Sequence, residues 1–178
     1  MIPTPSTQST HTIKLMVEGD ELEEAWVVYE QSFEEIKLEH PCRQSLTRVE
    51  FEAFMADCEV VKLLFYEEGQ IVAGSLFTTN LAKIPWISAP FYDAQYPKYI
   101  GERMYAQSFF VKPSRRAAGY LEKIAVAIRD YMREHSLKVA FCDFGGRNEI
   151  AFRLILKAIG AEALKTIGTQ TYSGIVIN

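Results

Sequence analysis

The sequence predicts an α/β domain, a mixed sheet with helices on both faces, and three observations predict it. β-prone runs and stretches of helical periodicity follow the order strand, two helices, hairpin, strand, helix, strand, helix, closing strands. An apolar run over residues 106–111 stops at Pro113. A basic loop then leads into Leu121, Ile124, Ala125, Ile128, Tyr131 and Met132, spaced by three and four as on one helix face. Residues 137–144, LKVAFCDF, are mostly apolar, as a strand covered on both faces requires.

Taken in order, residues 1–11, MIPTPSTQSTH, are rich in Ser, Thr and Pro and read as a disordered tail, which also holds His11. A single domain over residues 12–178 follows, and residues 12–17 alternate as its first strand. Asp20 with Glu23 makes a capping-box pattern ahead of a helix face of Leu22, Ala25, Trp26, Tyr29, Phe33 and Ile36. Glu23, Glu24, Glu34 and Glu35 read as the solvated side of that helix. His40, Pro41 and Cys42 break it. Thr47 with Glu50 caps a second helix carrying Phe51, Phe54, Met55 and Cys58. Residues 60–66 and 71–78 read as strands joined by a turn at Glu67, Glu68 and Gly69. Gly74 inside the second of them marks a bulge or a close backbone neighbour.

Residues 80–101 set Pro85, Pro90 and Pro97 among Trp86, Phe91, Tyr92, Tyr96 and Tyr99. Three prolines exclude a regular helix or a central strand, so the segment reads as a long loop. A wall of an acceptor pocket, an aromatic patch for a partner subunit and packing over the sheet all fit it. Residues 104–111 form the strand before the basic loop. The helix from Gly119 ends near His135. Beyond the strand at 137–144, Gly145, Gly146, Arg147 and Asn148 turn the chain into a last helix that buries Ile150, Ala151, Leu154, Ile155 and Ala158 and stops at Gly160. Residues 164–177 supply one or two closing strands.

Composition narrows the function. The chain has 178 residues, 48% hydrophobic and 24% charged, enough for one sizeable core. A net charge of −4 argues against nucleic acid as the main partner. Three scattered cysteines, Cys42, Cys58 and Cys142, show no zinc spacing and predict a reducing, cytoplasmic setting, with Cys58 and Cys142 buried. No membrane-length apolar run and no leader pattern occur, and neither do G-x-S-x-G and H-E-x-x-H. No metal site is expected.

The basic loop is where chemistry concentrates. The first amides of a helix have no intrahelical partner and sit at the positive end of its dipole. The backbone of residues 116–121 can therefore wrap a diphosphate, with Ala117, Ala118 and Gly119 allowing close approach and Arg115 and Arg116 adding charge. A helix that simply begins after a proline, with solvated arginines, accounts for the same residues.

The run V-x-P-x-x-R-x-x-G, formed by Val111, Pro113, Arg116 and Gly119, resembles the coenzyme A-binding signature of the GCN5-related N-acetyltransferases. Leu121 departs from it, because that family has Gly or Ala there. A second likeness lies in NEIAFRLILKAIGAE, where Asn148, Ala151, Leu154 and Lys157 match a family helix. The helix tyrosine that protonates the leaving thiolate in many relatives is replaced by Ile155 or Leu156.

The resemblance implies a mixed, mostly antiparallel twisted sheet of six to seven strands with about four helices on both faces. It implies transfer of an acetyl group from acetyl-CoA to a primary amine of a small molecule, by direct attack in a ternary complex. Backbone groups of Phe109, Phe110 and Val111 would hold the pantetheine arm. The amide of Phe110 or Val111 would face the thioester carbonyl, residues 115–121 (with Tyr120 and Leu121) the diphosphate, and Asn148 the pantetheine or adenine. For the base, Glu102, taken to lie at the mouth, comes first and Asp143 second, and Tyr105 stands where histone-modifying relatives carry a glutamate. Strand alternation would put Tyr105, Gln107 and Phe109 on one face. Tyr105, Tyr120 or a tyrosine of residues 80–101 would protonate the thiolate. Two other readings stand beside this one, a non-catalytic acyl-CoA-binding module and a protein or peptide acetyltransferase. A homodimer is left open.

Overall fold

The architecture grows from a central hairpin. Val60–Glu67 (β2) and Gln70–Thr78 (β3) pair antiparallel around Glu68 and Gly69, both at positive φ (51° and 79°), the turn whose twist matches that of the strands. In the computed structural model, which describes residues 10–39, 45–145, 162–167 and 170–176, five more strands extend it. They are Thr10–Lys14 (β1), Arg103–Val111 (β4), Val139–Gly145 (β5), Glu162–Ile167 (β6) and Gln170–Val176 (β7), and the seven-stranded order is β1-β2-β3-β4-β5-β7-β6. Every neighbouring pair is antiparallel except β4 and β5. The helices are Gly19–Glu39 (α1), Arg48–Ala56 (α2), Ala89–Gln95 (α3) and Tyr120–Glu134 (α4). The last helix expected from the sequence, with Asn148, lies outside the described residues.

Two apolar layers sandwich the sheet. On one face Val61, Leu63, Phe65, Phe77, Met104, Ala106, Ala140 and Cys142 pack against Tyr120, Ile124, Ile128 and Met132 of α4. On the other, Val60, Leu64, Leu76 and Phe110 pack against Ala25, Tyr29 and Phe33 of α1 and Phe51 and Met55 of α2. Thr47 caps α2 with the full reciprocal box, its side chain accepting from Glu50 N while the Glu50 carboxylate accepts from Thr47 N. Gly74 lies opposite Phe110, and a Cβ there would fall 2.5 Å from the Phe110 ring and 2.8 Å from the Leu63 carbonyl. Of the two roles expected for that glycine, it has the close backbone approach.

Several expectations need correcting. His11 belongs to β1, paired with Phe65, because the strand starts at Thr10. Helix α1 begins at Gly19, so Asp20 sits inside its first turn rather than at its cap. Glu24 is not merely solvated, since its carboxylate accepts from Ile71 N at 3.0 Å. Cys58 is exposed, in the turn after α2, whereas Cys142 is buried and its thiol pushed up to about 12 by burial. Finally, the segment 80–101 contains a helix. Pro90 sits in the first turn of α3 and Pro97 at the start of a short 3-10 turn, positions where the missing N–H is not needed. Ser88 caps α3.

Candidate functional site

The site grows from an interruption in the sheet. β4 and β5 run parallel, but their register holds only for Arg103↔Val139, Met104↔Ala140 and Tyr105↔Phe141. Past that point residues 106–111 and 142–145 continue as strands without pairing to each other. The ladder therefore ends short of the C-terminal ends of both strands, which part there. That is the end at which α4 begins, and ligands of open α/β sheets bind at such ends.

A bulge sits at the apex. β3 pairs Leu76 with Ser108 and Phe77 with Ala106, which leaves Gln107 as the extra residue. The bulge resets the alternation. Tyr105 joins a cluster with Phe141, Val139 and Tyr92, whereas Phe109 packs with Met104 and Ala106 toward α4. The expected common face of Tyr105 and Phe109 is thus corrected. Tyr105 is fully buried, and its hydroxyl has no hydrogen-bond partner among the described residues, as is true of both side-chain polar atoms of Gln107 and of Ser108 Oγ. Buried polar atoms left unpaired cost about 1–3 kcal/mol each, so these three residues concentrate unmet hydrogen-bonding capacity where the two strands part. Ser75 Oγ donates to the Ser108 carbonyl at 2.7 Å and fixes the bulge from β3.

Asp143 lies two residues past the last β4–β5 pair, half-buried, on the strand face that holds Phe141. Glu102 is elsewhere. Its carbonyl accepts from Lys138 N (2.7 Å) and Val139 N (3.1 Å) at the closed end of the pair. Nine residues of strand, roughly 30 Å at about 3.3 Å each, separate it from Val111, so it does not stand at the mouth.

At the open end, Pro113–Ala118 forms a 3-10 turn, Gly119 takes a left-handed conformation (φ 72°) and α4 follows, with residues 113–119 exposed. A Cβ on Gly119 would meet nothing, so glycine is there for its backbone conformation, not for room. The first helical bond of α4 runs from Lys123 N to Gly119 O at 3.1 Å, and no side chain caps the turn before it. Leu121, the departure from the expected pattern, is turned into the α4 core and leaves the loop clear. Arg115 Nε lies 2.6 Å from Glu67 Oε2, and the buried Tyr120 hydroxyl donates to Glu67 Oε1. These two contacts hold the Glu67 carboxyl below the usual carboxylate range, the Tyr120 hydroxyl foremost. Arg116 donates to the Ser32 carbonyl at 3.3 Å, while Ser32 Oγ lies 2.6 Å from Val28 O and 2.8 Å from Val111 O. Helix α1 is thereby tied to the end of β4 and to the middle of the loop.

α3 closes the site on the Tyr105 side. The Tyr92 ring lies 4.6 Å from Phe141 and 5.6 Å from Tyr105, and Tyr96 lies 5.8 Å from Phe141. The Arg103 guanidinium and Asp93 carboxylate approach to 2.7 Å, an ion-pair distance out of hydrogen-bond alignment, and anchor α3 to the start of β4. Sequence reasoning missed Ser32 and Glu67, and placed Gln107 on β4 without giving it a role. Ser32 and Gln107 leave a faint signal, a small polar residue on an apolar helix face and an amide in an apolar strand. Glu67 had looked like a turn residue only. Among the described residues no cluster of His, Cys, Asp and Glu could hold a metal ion, and no helix is long and apolar enough to cross a membrane.

No protein-family model matches the chain, and no curated protein matches it in sequence. Solved structures do match in fold. The ribosomal-protein-S18-alanine N-acetyltransferase of Escherichia coli superposes with a TM-score of 0.64 at 10% identity, covering 94% of each chain. The PaiA N-acetyltransferase of Thermoplasma acidophilum, in complex with coenzyme A, gives 0.65 at 10% identity over 94% of this chain and 99% of its own. The GNAT domain of PAT from S. lividans gives 0.66 at 15% identity over 93% and 89%. With its parted β4–β5 pair and the turn that leads into α4, the chain has the fold of the GCN5-related N-acetyltransferases.

Proposed function

We propose that the protein is an acetyl-CoA-dependent N-acetyltransferase that moves an acetyl group to a primary amine of a small molecule by direct attack in a ternary complex. The single observation that carries this reading is the opening between β4 and β5, which leads straight to an exposed, uncapped helix start. In this reading the amides of residues 116–121 take the diphosphate, and the β4 backbone at Phe109, Phe110 and Val111 takes the pantetheine arm as a new strand edge.

Spacing along β4 favours one place for the reaction in this reading. Five or six residues, roughly 16–20 Å, separate Tyr105 from Phe110 and Val111, so these cannot serve one thioester together. The bulge at Gln107 lies between them, two residues from Tyr105. We therefore place the carbonyl at the backbone amide of Gln107, the residue the bulge leaves out of the β3 ladder, which would polarise it and receive the oxyanion. Asp143, at the same height on β5, orients the amine and takes its proton. As the C–S bond breaks, Tyr105 gives its hydroxyl proton to the thiolate. Tyr120, whose hydroxyl is engaged by Glu67, is the weaker candidate. The aromatic wall of α3, anchored to β4, supports a small acceptor over a peptide. A cytoplasmic setting belongs to the same reading.

Calorimetric titration with coenzyme A, followed by thiol release from acetyl-CoA across an amine panel, tests it. Binding with turnover is expected, and Arg116→Glu should abolish both. Binding without turnover on any amine would instead favour a non-catalytic acyl-CoA-binding module. Labelled acetyl-CoA in a cell lysate would identify the acceptor by mass spectrometry.

A further inference from the structure

Resting on the coenzyme reading above, we propose that Glu67 is an internal anion that competes with the coenzyme's diphosphate for Arg115 and so limits the affinity of the site. The geometry is specific. Glu67 ends β2, and its two carboxylate oxygens take a residue from within the basic turn and the first residue of α4. Oε2 takes the Arg115 Nε at 2.6 Å, and Oε1 accepts from the hydroxyl of Tyr120, the first residue of α4. The Glu67 side chain is only 15% exposed, whereas that of Arg115 is 47% exposed, so the arginine can turn outward while the carboxylate stays. Lys123 lies over the Tyr120 ring at 4.3 Å, one further cation beside the same carboxylate.

The turn thus presents its charge already neutralised in part. A diphosphate arriving at residues 116–121 meets the helix start but also a fixed negative charge behind it, and Arg115 must leave one anion to meet another. Gln in place of Glu67 keeps an acceptor for the Tyr120 hydroxyl and removes both the repulsion and the competition. Exposed charge pairs of this kind change equilibria by about two- to fivefold.

Titration calorimetry with coenzyme A provides the test. Glu67→Gln is expected to bind about two- to fivefold tighter than the parent, with the gap narrowing as salt is raised. In an Arg115→Gln background the same change should give a smaller gain, since the competition for that arginine is gone. The sign matters, because a variant that merely loosened the turn would bind more weakly. If the parent binds coenzyme A and Glu67→Gln binds equally or less tightly, this inference falls and the transferase reading stands. If the parent does not bind coenzyme A, the transferase reading itself falls.

Discussion

Tyr105 shows how much one side chain's surroundings decide. From the sequence it was one of several tyrosines able to give up a proton. The structure separates it from Tyr120 by partner rather than by residue type, because Tyr120 is held by Glu67 while the Tyr105 hydroxyl is buried beside the opening. Tyr105→Phe is therefore expected to lower kcat by about 10²-fold and to leave the Kd for coenzyme A unchanged, checked by steady-state kinetics beside calorimetry. Lys62 is a second case. It is fully buried on β2, and its ammonium donates to Leu15 O (2.7 Å) and Asp57 O (2.6 Å). Burial lowers its pKa to about 8. Between about 8 and the ordinary 10.5 the unfolded chain binds this proton and the folded chain does not, so stability from this group rises with pH across that window. Urea unfolding at several pH values should show the rise, and Lys62→Met should remove it. Neither behaviour was legible in the sequence, since both depend on which distant carbonyls and rings surround the group.

At the scale of elements, periodicity and capping chemistry were enough for most of the chain. Thr47 and Glu50 form the expected box, and Thr47→Ala should cost about 1 kcal/mol by chemical denaturation. The hairpin turn and the span of α4 also follow from local residues. What failed was the reading of prolines as breakers, because Pro90 begins a helix instead of ending one. The bulge at Gln107 was missed as well, since it is defined by the partner strand and not by β4's own residues. Gly74 falls between these cases. Its close neighbour was expected, but only the pairing identifies that neighbour as Phe110. Gly74→Ala should cost about 1–3 kcal/mol, because the Leu63 carbonyl beneath cannot withdraw as a side chain can.

For the molecule as a whole, the order of elements led to the mixed sheet with helices on both faces, and the basic motif falls at the end of the sheet where β4 and β5 part. The parting of β4 from β5 has no signature in residue type, since both strands read as ordinary apolar runs through the region where pairing stops. Coenzyme A at a hundred times its Kd should stabilise the fold by about 2.7 kcal/mol, seen as a rise in Tm that Arg116→Glu loses. One consequence of the parting reaches beyond affinity. Amides of residues 106–111 that face β5 lie at the middle of the sheet yet lack a strand to bond with. In deuterated buffer they should exchange far sooner than their neighbours facing β3, and slow once a nucleotide thioester fills the gap, so that the centre of the sheet behaves like an edge until cargo arrives.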